Sequence, residues 1–291
     1  MRITDHFKKA VGIWPPKAPY NAMRSALSGC GDVSGLPAIL RTYADAVRWE
    51  KKGDMQPLHF ALWQRNYAAA EILIEFDRSI LSDKNKTGGT LLHEYASRGD
   101  TKPLTFLVHE GANVDEQDNS RRTPLHHAAM KRYGDDTVPV LLRYGARHDL
   151  KDNEGRTPLM LALMTGNSAA ADALMQKPYV AMQIDNYGRT LLMAAAESGL
   201  AHLITPLLRA GVEVTETNPL GESALDLAIK KKHGPAALLL LQAYVPDEID
   251  DKKRRKLGNL IRPLDGSTPA LKSIGLRPSP KQRETWPLPK F

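Results

Sequence analysis

One short pattern recurs six times along this chain at almost constant spacing. Its copies begin at Gln56, Thr90, Thr123, Thr157, Thr190 and Ser223, which are 34, 33, 34, 33 and 33 residues apart. The clearest copy is TPLHHAA at 123–129. A fixed period of this length indicates stacked supersecondary units, because one unit of about 33 residues cannot bury its own apolar face.

The residue types within each copy predict a helix-turn-helix unit. Threonine or serine is a good N-cap, and a proline that follows it, as at Pro124, is pre-organised for the first helical turn. A second apolar stretch follows about eleven residues later, for example Leu141-Leu142, and ends at a glycine-containing turn. The Asp-x-x-Gly segments at 152–155 and 185–188 then predict a tight turn that projects from the stack.

These residues resemble the ankyrin repeat. TPLH at 123–126 is the family signature, and the Gly-Ala pairs at 111–112 and 145–146 fit its turns. The resemblance covers about residues 56–242, and a divergent terminal copy near Ala22 makes about seven repeats. It implies an all-α solenoid in which the TPLH histidine belongs to a structural hydrogen-bond network and not to a metal site.

Charge and proline content divide the chain. Residues 246–291 carry 11 Lys/Arg against 6 Asp/Glu and hold 7 of the 20 prolines, so most of the net charge of +7 lies there. Proline fixes φ and removes a donor, so this segment cannot continue the helical array. The sequence therefore predicts an N-terminal extension at 1–20, a repeat domain at 21–245 and a basic, Pro-rich tail at 246–291.

The residue types and motifs that the chain lacks argue against several kinds of functional site and cellular location. Cys30 is its one cysteine, which excludes an internal disulfide and argues for a reducing compartment such as the cytoplasm. We expect it to be a small buried side chain. The sequence holds no phosphate-binding loop, nucleophile elbow or zinc-protease motif. No apolar run approaches membrane-spanning length. We therefore expect no enzyme activity, cofactor, metal or membrane span.

The resemblance also implies where a partner binds, because ankyrin proteins usually bind through their projecting tips and the inner faces of the first helices. Carried onto this chain, those positions are Asn119, Ser120, Arg122, Lys131, Asn153, Glu154, Arg156, Met164, Asn186, Tyr187, Arg189, Glu197, Leu220 and Glu222. Tyr187 is the best single anchor, since aromatic residues dominate interface energetics.

The arginines at Arg122, Arg156 and Arg189 recur once per repeat and allow two interpretations. A ladder of arginines could bind an acidic partner surface through bidentate contacts. Alternatively, each arginine pairs with an acidic residue of the tips, namely Asp118, Asp152 or Asp185.

The tail contains two candidate interaction motifs. The basic run Lys252, Lys253, Arg254, Arg255 and Lys256 is compatible with a nuclear import signal, nucleic-acid contact or membrane-surface contact, or with a solvated helix face. Trp286 and Phe291 lie among prolines and suggest a linear docking motif. The alternative is that the tail folds back and covers the last repeat.

Two functions follow. The first is a non-enzymatic scaffold or adaptor that binds protein, as a subunit of a larger assembly or as a bacterial effector. The second is a nucleic-acid-associated regulator anchored by the basic tail.

Overall fold

The computed structural model describes residues 17–29, 32–48, 55–131, 137–177, 183–243 and 251–261. These residues form fifteen α-helices and two 3-10 helices, and within them the only β pairing is two isolated bridges, Ile184–Thr190 and Thr217–Ser223. The predicted all-α class is confirmed. The chain divides into two compact units, Met1–Asn119 and Ser120–Phe291.

The described residues of the first unit form six α-helices. They are α1 (Lys17–Leu27), α2 (Leu36–Thr42), α3 (Pro57–Trp63), α4 (Tyr67–Phe76), α5 (Leu91–Arg98) and α6 (Thr101–His109), with 3-10 helices at Ala44–Arg48 and Arg78–Ser82. Helix α1 packs on α2, α3 and α4, and α5 packs on α6. Leu40, Leu62, Leu73 and Leu104 are fully buried in this unit.

The second unit contains nine described α-helices. They are α7 (Pro124–Ala129), α8 (Thr137–Arg143), α9 (Pro158–Thr165), α10 (Ser168–Met175), α11 (Leu191–Ser198), α12 (Ala201–Arg209), α13 (Ala224–Lys231), α14 (Gly234–Ala243) and α15 (Asp251–Ile261). The first helices of successive repeats, α7, α9, α11 and α13, pack in a row. Each also packs on the second helix of its own repeat.

The helix boundaries follow the sequence period. Helices α3, α5, α7, α9, α11 and α13 each begin one residue after a copy of the pattern starts. At Thr190 and Ser223 the side-chain oxygen accepts the backbone N–H three residues on, at 3.3 Å in both cases. Helices α9 and α11 end at Gly166 and Gly199, which have φ of 75° and 77°. The predicted stops are the glycines after the second helices, and Gly111, Gly145 and Gly211 have φ of 92°, 82° and 87°. The predicted caps and stops are therefore confirmed, whereas the glycines that end the first helices were not predicted.

The core of the second unit is built from repeated leucines and alanines. Leu125 and Leu159, the leucines of two copies of the repeated pattern, are buried. Three residues after each such leucine stands an alanine, and Ala128, Ala162 and Ala195 are almost fully buried. The small side chain lets neighbouring first helices approach closely, so the leucines fill the remaining space at close packing.

The TPLH histidine has the structural role that the resemblance implied. The backbone N–H of Thr123 donates to His126 Nδ1 at 3.1 Å, so Nε2 carries the proton and donates to the Arg156 carbonyl at 3.1 Å. The second bond joins one repeat to the next. Burial lowers the pKa of His126 to about 4, because the charged imidazolium would lose its hydration.

The described part of the predicted tail is a helix that packs on the last repeat. Helix α15 contacts α13 and α14, and Leu257 and Ile261 are fully buried. This arrangement supports the fold-back alternative for residues 251–261. The domain boundary at 245 stays a prediction.

Candidate protein-binding surface

The tips of the second unit are three loops of the same construction, which we call the tip loops: 152–156, 185–189 and 218–222. Each begins with Asp or Asn, whose Oδ1 accepts the backbone N–H groups two and four residues later. The distances are 3.0 and 2.9 Å at Asp152, 2.9 and 2.8 Å at Asp185, and 3.0 and 2.9 Å at Asn218. Such paired bonds hold the loop backbone in one conformation, so side chains on it are presented at fixed positions.

Backbone hydrogen bonds also join each tip to the one before it. Asn153 N–H donates to Ser120 O, and Asn186 N–H donates to Glu154 O, both at 2.9 Å. The equivalent residue in the last tip is Pro219, which has no N–H to donate. There the contact is between Pro219 and the backbone of Gly188, so close that a Cβ at position 188 would lie 2.9 Å from Pro219 Cδ.

The last two tip loops expose large apolar side chains. Tyr187 is 62% exposed and Leu220 is 81% exposed, and they occupy the same loop position in successive repeats. Ile184, just before the loop at Asp185, is also exposed. We call Ile184, Tyr187 and Leu220 the apolar tip patch. Large apolar groups held out on a rigid backbone are typical of protein contact sites.

The arginines at the tips are occupied by internal ion pairs. Arg122 Nε lies 3.3 Å from Asp152 Oδ2, and Arg156 contacts the same oxygen through Nη2 at 2.8 Å. Arg156 also pairs with Glu154, and only 13% of its side chain is exposed. Burial alone would raise the pKa of Asp152, but hydrogen bonds from Arg156 hold it below its ordinary value. The geometry favours the paired interpretation of Arg122 and Arg156 over the ladder.

A second chain of ion pairs crosses the last two repeats. Arg189 lies 3.6 Å from Glu197, and Glu197 lies 3.3 Å from Lys231. Lys230 pairs with Glu222 at 2.7 Å. The charges of this surface therefore largely cancel, which leaves the apolar tip patch as its distinguishing feature.

The structure brings some predicted residues together and not others. Asn153, Asn186, Tyr187 and Leu220 lie exposed at the tips, and Glu154, Met164, Lys131 and Glu222 are half-buried. Asn119 belongs to the first unit, where its N–H donates to Thr87 O at 3.0 Å, and Ser120 begins the second. Arg255 and Lys256 are exposed on α15, the helix that also contains Lys252, Lys253 and Arg254. Cys30, Trp286 and Phe291 lie outside the described residues.

Two exposed aromatic side chains of the described residues, Trp63 and Phe76, were not predicted. Trp63 is exposed at the end of α3, with its ring 6.1 Å from that of Phe60, and the Arg24 guanidinium lies 4.5 Å above the Phe60 ring. The sequence could have indicated this exposure through the positions of residues along the helix. Leu58, Ala61 and Leu62 fill the buried face of α3, so Trp63 lies outside that face.

Metal-binding clusters and membrane-spanning helices are both absent from the ranges that the structure describes. Within them, no group of three or more His, Cys, Asp or Glu side chains is placed to hold a metal ion. None of the helices in these ranges combines the length and apolarity needed to cross a membrane.

Comparison with known proteins agrees with this geometry. The family model for ankyrin repeats (three copies) matches residues 58–152 and again 129–218, which together cover more than half of the chain. The chain belongs to the ankyrin repeat family. Ankyrin repeats are in general protein–protein interaction modules and in general not enzymes.

Similar curated proteins share only part of their length with this ankyrin repeat chain. Human rabankyrin-5 is 31% identical over 153 residues, which is 48% of this chain and 13% of that protein. Mouse rabankyrin-5 is 32% identical over 174 residues, 55% of this chain and 15% of that protein. A Caenorhabditis elegans homolog of transient receptor potential cation channel subfamily A member 1 is 30% identical over 125 residues, 35% of this chain and 10% of that protein. The chain thus spans 10% to 15% of the length of these relatives.

Proposed function

We propose that this chain is a non-enzymatic scaffold or adaptor that binds a protein partner through the apolar tip patch. The observation that supports this proposal most directly is that adjacent repeats expose Tyr187 and Leu220 at the same position of their tip loops. Each of these loops is held by its own internal hydrogen bonds. Exposing two large apolar side chains to water brings no stabilisation, whereas a protein partner that covers both would bury apolar surface at each.

The energetics favour these residues as anchors. Fully burying one large apolar side chain contributes about 1.5 to 3 kcal/mol. Asp185 and Asn218 already order the backbone within each loop, so little conformational entropy inside a loop is lost when a partner binds. The neighbouring ion pairs, such as Lys230–Glu222, then form a polar rim.

The nucleic-acid alternative rests on a different part of the chain. Its support is the exposed pair Arg255 and Lys256 on α15. Binding through such residues would weaken steeply with salt, because phosphate contacts release counterions. Binding through the apolar tip patch would depend on salt far less, so a titration at two salt concentrations distinguishes the two functions.

The test begins with partner identification and then measures affinity. Proteins captured from the native source by the full chain are identified by mass spectrometry, and the Kd of the leading partner is measured by calorimetry. Tyr187→Ala and Leu220→Ala should each raise the Kd at least tenfold, as expected of hot-spot side chains. The matched control is Glu213→Ala, an exposed residue of the same repeat outside the tip loops, which should leave Kd unchanged.

Melting temperatures decide how the result is interpreted. Both anchor variants should melt within about one degree of the wild-type protein, since an exposed side chain contributes little to stability. An unchanged Kd in the double variant would contradict the proposal and move the interface away from the tips.

A further inference from the structure

A cavity with both polar and apolar lining lies in the first unit. It has a volume of about 400 Å³ and lies between the start of α3, the start of α5 and the loop that precedes α5. Its lining includes Gln56, His59, Asn85, Lys86 and Glu94. A volume of this size accommodates a side chain and its flanking backbone.

The acidic groups around this cavity are already neutralised. Asp83 pairs with Arg48 at 3.0 Å. Glu94 Oε1 lies 2.5 Å from Arg98 Nη2 and 3.2 Å from His59 Nε2, which forms no well-aligned hydrogen bond within the described residues. The contact with His59 lowers the pKa of Glu94 below its ordinary value, so this carboxylate stays ionised and partnered.

The uncommitted groups around the cavity are mostly donors. Lys84 pairs with Glu116 at 2.6 Å, but no described residue forms an ion pair or hydrogen bond with the Lys86 ammonium. The Gln56 amide also has no hydrogen-bond partner among the described residues. Asn85 uses Oδ1 to accept from Thr87 and Gly89, and its Nδ2 makes no bond within the described ranges.

From this arrangement we propose that the cavity binds a carboxylate side chain of an acidic peptide segment, held by Lys86 and by the amides of Gln56 and Asn85. A carboxylate offers only acceptors, and these three side chains offer the donors that such a group requires. A cationic side chain would instead meet carboxylates that already have partners, and would lie close to Lys86. The inference rests on the proposed protein-binding function but places an acidic contact on a separate surface.

The probe is a peptide of six glutamates with blocked ends, added to the full ¹⁵N-labelled chain. Its amide shifts should change at 55–59, 83–91 and 94, with Kd in the high micromolar to millimolar range for so few contacts. Raising salt from 50 to 300 mM should weaken binding several-fold, because Lys86 is exposed and its charge is screened. A blocked six-lysine peptide should cause no comparable change.

Two matched variants locate the site. Lys86→Met should raise the Kd at least threefold, whereas Lys151→Met removes the same charge from an exposed position in the second unit and should leave it unchanged. Equal Kd values in both variants, tighter binding of the lysine peptide, or shifts confined to other residues would each overturn the assignment. Tyr187→Ala should leave this titration intact, so failure of the tip patch and failure of the cavity are separate results.

Discussion

Mild acid should destabilise the second unit because of one buried histidine. The folded-state pKa of His126 is about 4, whereas an unfolded chain has a histidine pKa of about 6.5. Between these values the unfolded state binds the proton and the folded state does not, so stability is complete above pH 6.5 and falls as the pH drops towards 4. At pH 5 this linkage removes about 2 kcal/mol.

The measurement is urea unfolding followed by circular dichroism at pH 7.5 and pH 5.0. Wild-type protein and His126→Gln should differ in how much free energy of unfolding each loses between the two pH values, by about 2 kcal/mol. The variant is less stable at pH 7.5, since it disturbs the bond to Arg156, but it has no imidazole to protonate there. Equal losses in the two proteins would refute the reasoning, as would an NMR titration that places the His126 pKa near 6.5.

Three other perturbations test the packing. Gly155→Ala should lower the free energy of unfolding by at least about 1 kcal/mol, and by more than Gly145→Ala does. Both glycines have positive φ, but only a Cβ at 155 would collide with Asn186, at 2.4 Å. Urea unfolding of both variants separates the cost of this collision from the cost of backbone strain. Leu225→Ala should cost about 2 to 5 kcal/mol, and a loss below 1 kcal/mol would mean that the site collapses fully. Removing residues 246–291 should speed amide exchange across α13 and α14, which α15 covers; unchanged exchange would show that α15 adds no protection.

The helices could be predicted because their determinants are local. Thr190 and Ser223 cap a helix by accepting an N–H three residues on, and Gly111 stops the chain from continuing α6 through its own positive φ of 92°. Each of these contacts lies within one turn, so the sequence pattern contains it. The period of 33 or 34 residues then places the first helices of the second unit, α7, α9, α11 and α13, side by side.

Which acidic residues form ion pairs with the arginines depends on contacts between repeats. The pairing of Arg156 with Asp152 spans four residues and was one of the two interpretations of the sequence. Arg122, however, reaches the same carboxylate across 30 residues. A single sequence shows that charges recur but not which of two repeats supplies the partner, so the choice between a free ladder and internal pairs required the fold.

The cavity in the first unit could not be anticipated either. It depends on how far the start of α3 and the loop before α5 stand apart, and residue types alone do not specify such a gap. Trp63 was missed for a related reason: the predicted binding positions began at Asn119, so the inner helix of an earlier repeat received no assignment.

Pro219 changes how motion passes along the row of tip loops. Peptide hydrogen bonds couple loops 152–156 and 185–189, so sliding one past the other breaks directional bonds. Between Gly188 and Pro219 only a non-directional steric contact remains, which resists compression but opposes sideways sliding weakly. We therefore expect the tip of the C-terminal repeat to act as a looser hinge than the tips before it. A partner that holds Tyr187 and Leu220 together would stiffen that hinge, and α15, which packs on this last repeat, would experience the change without touching the partner.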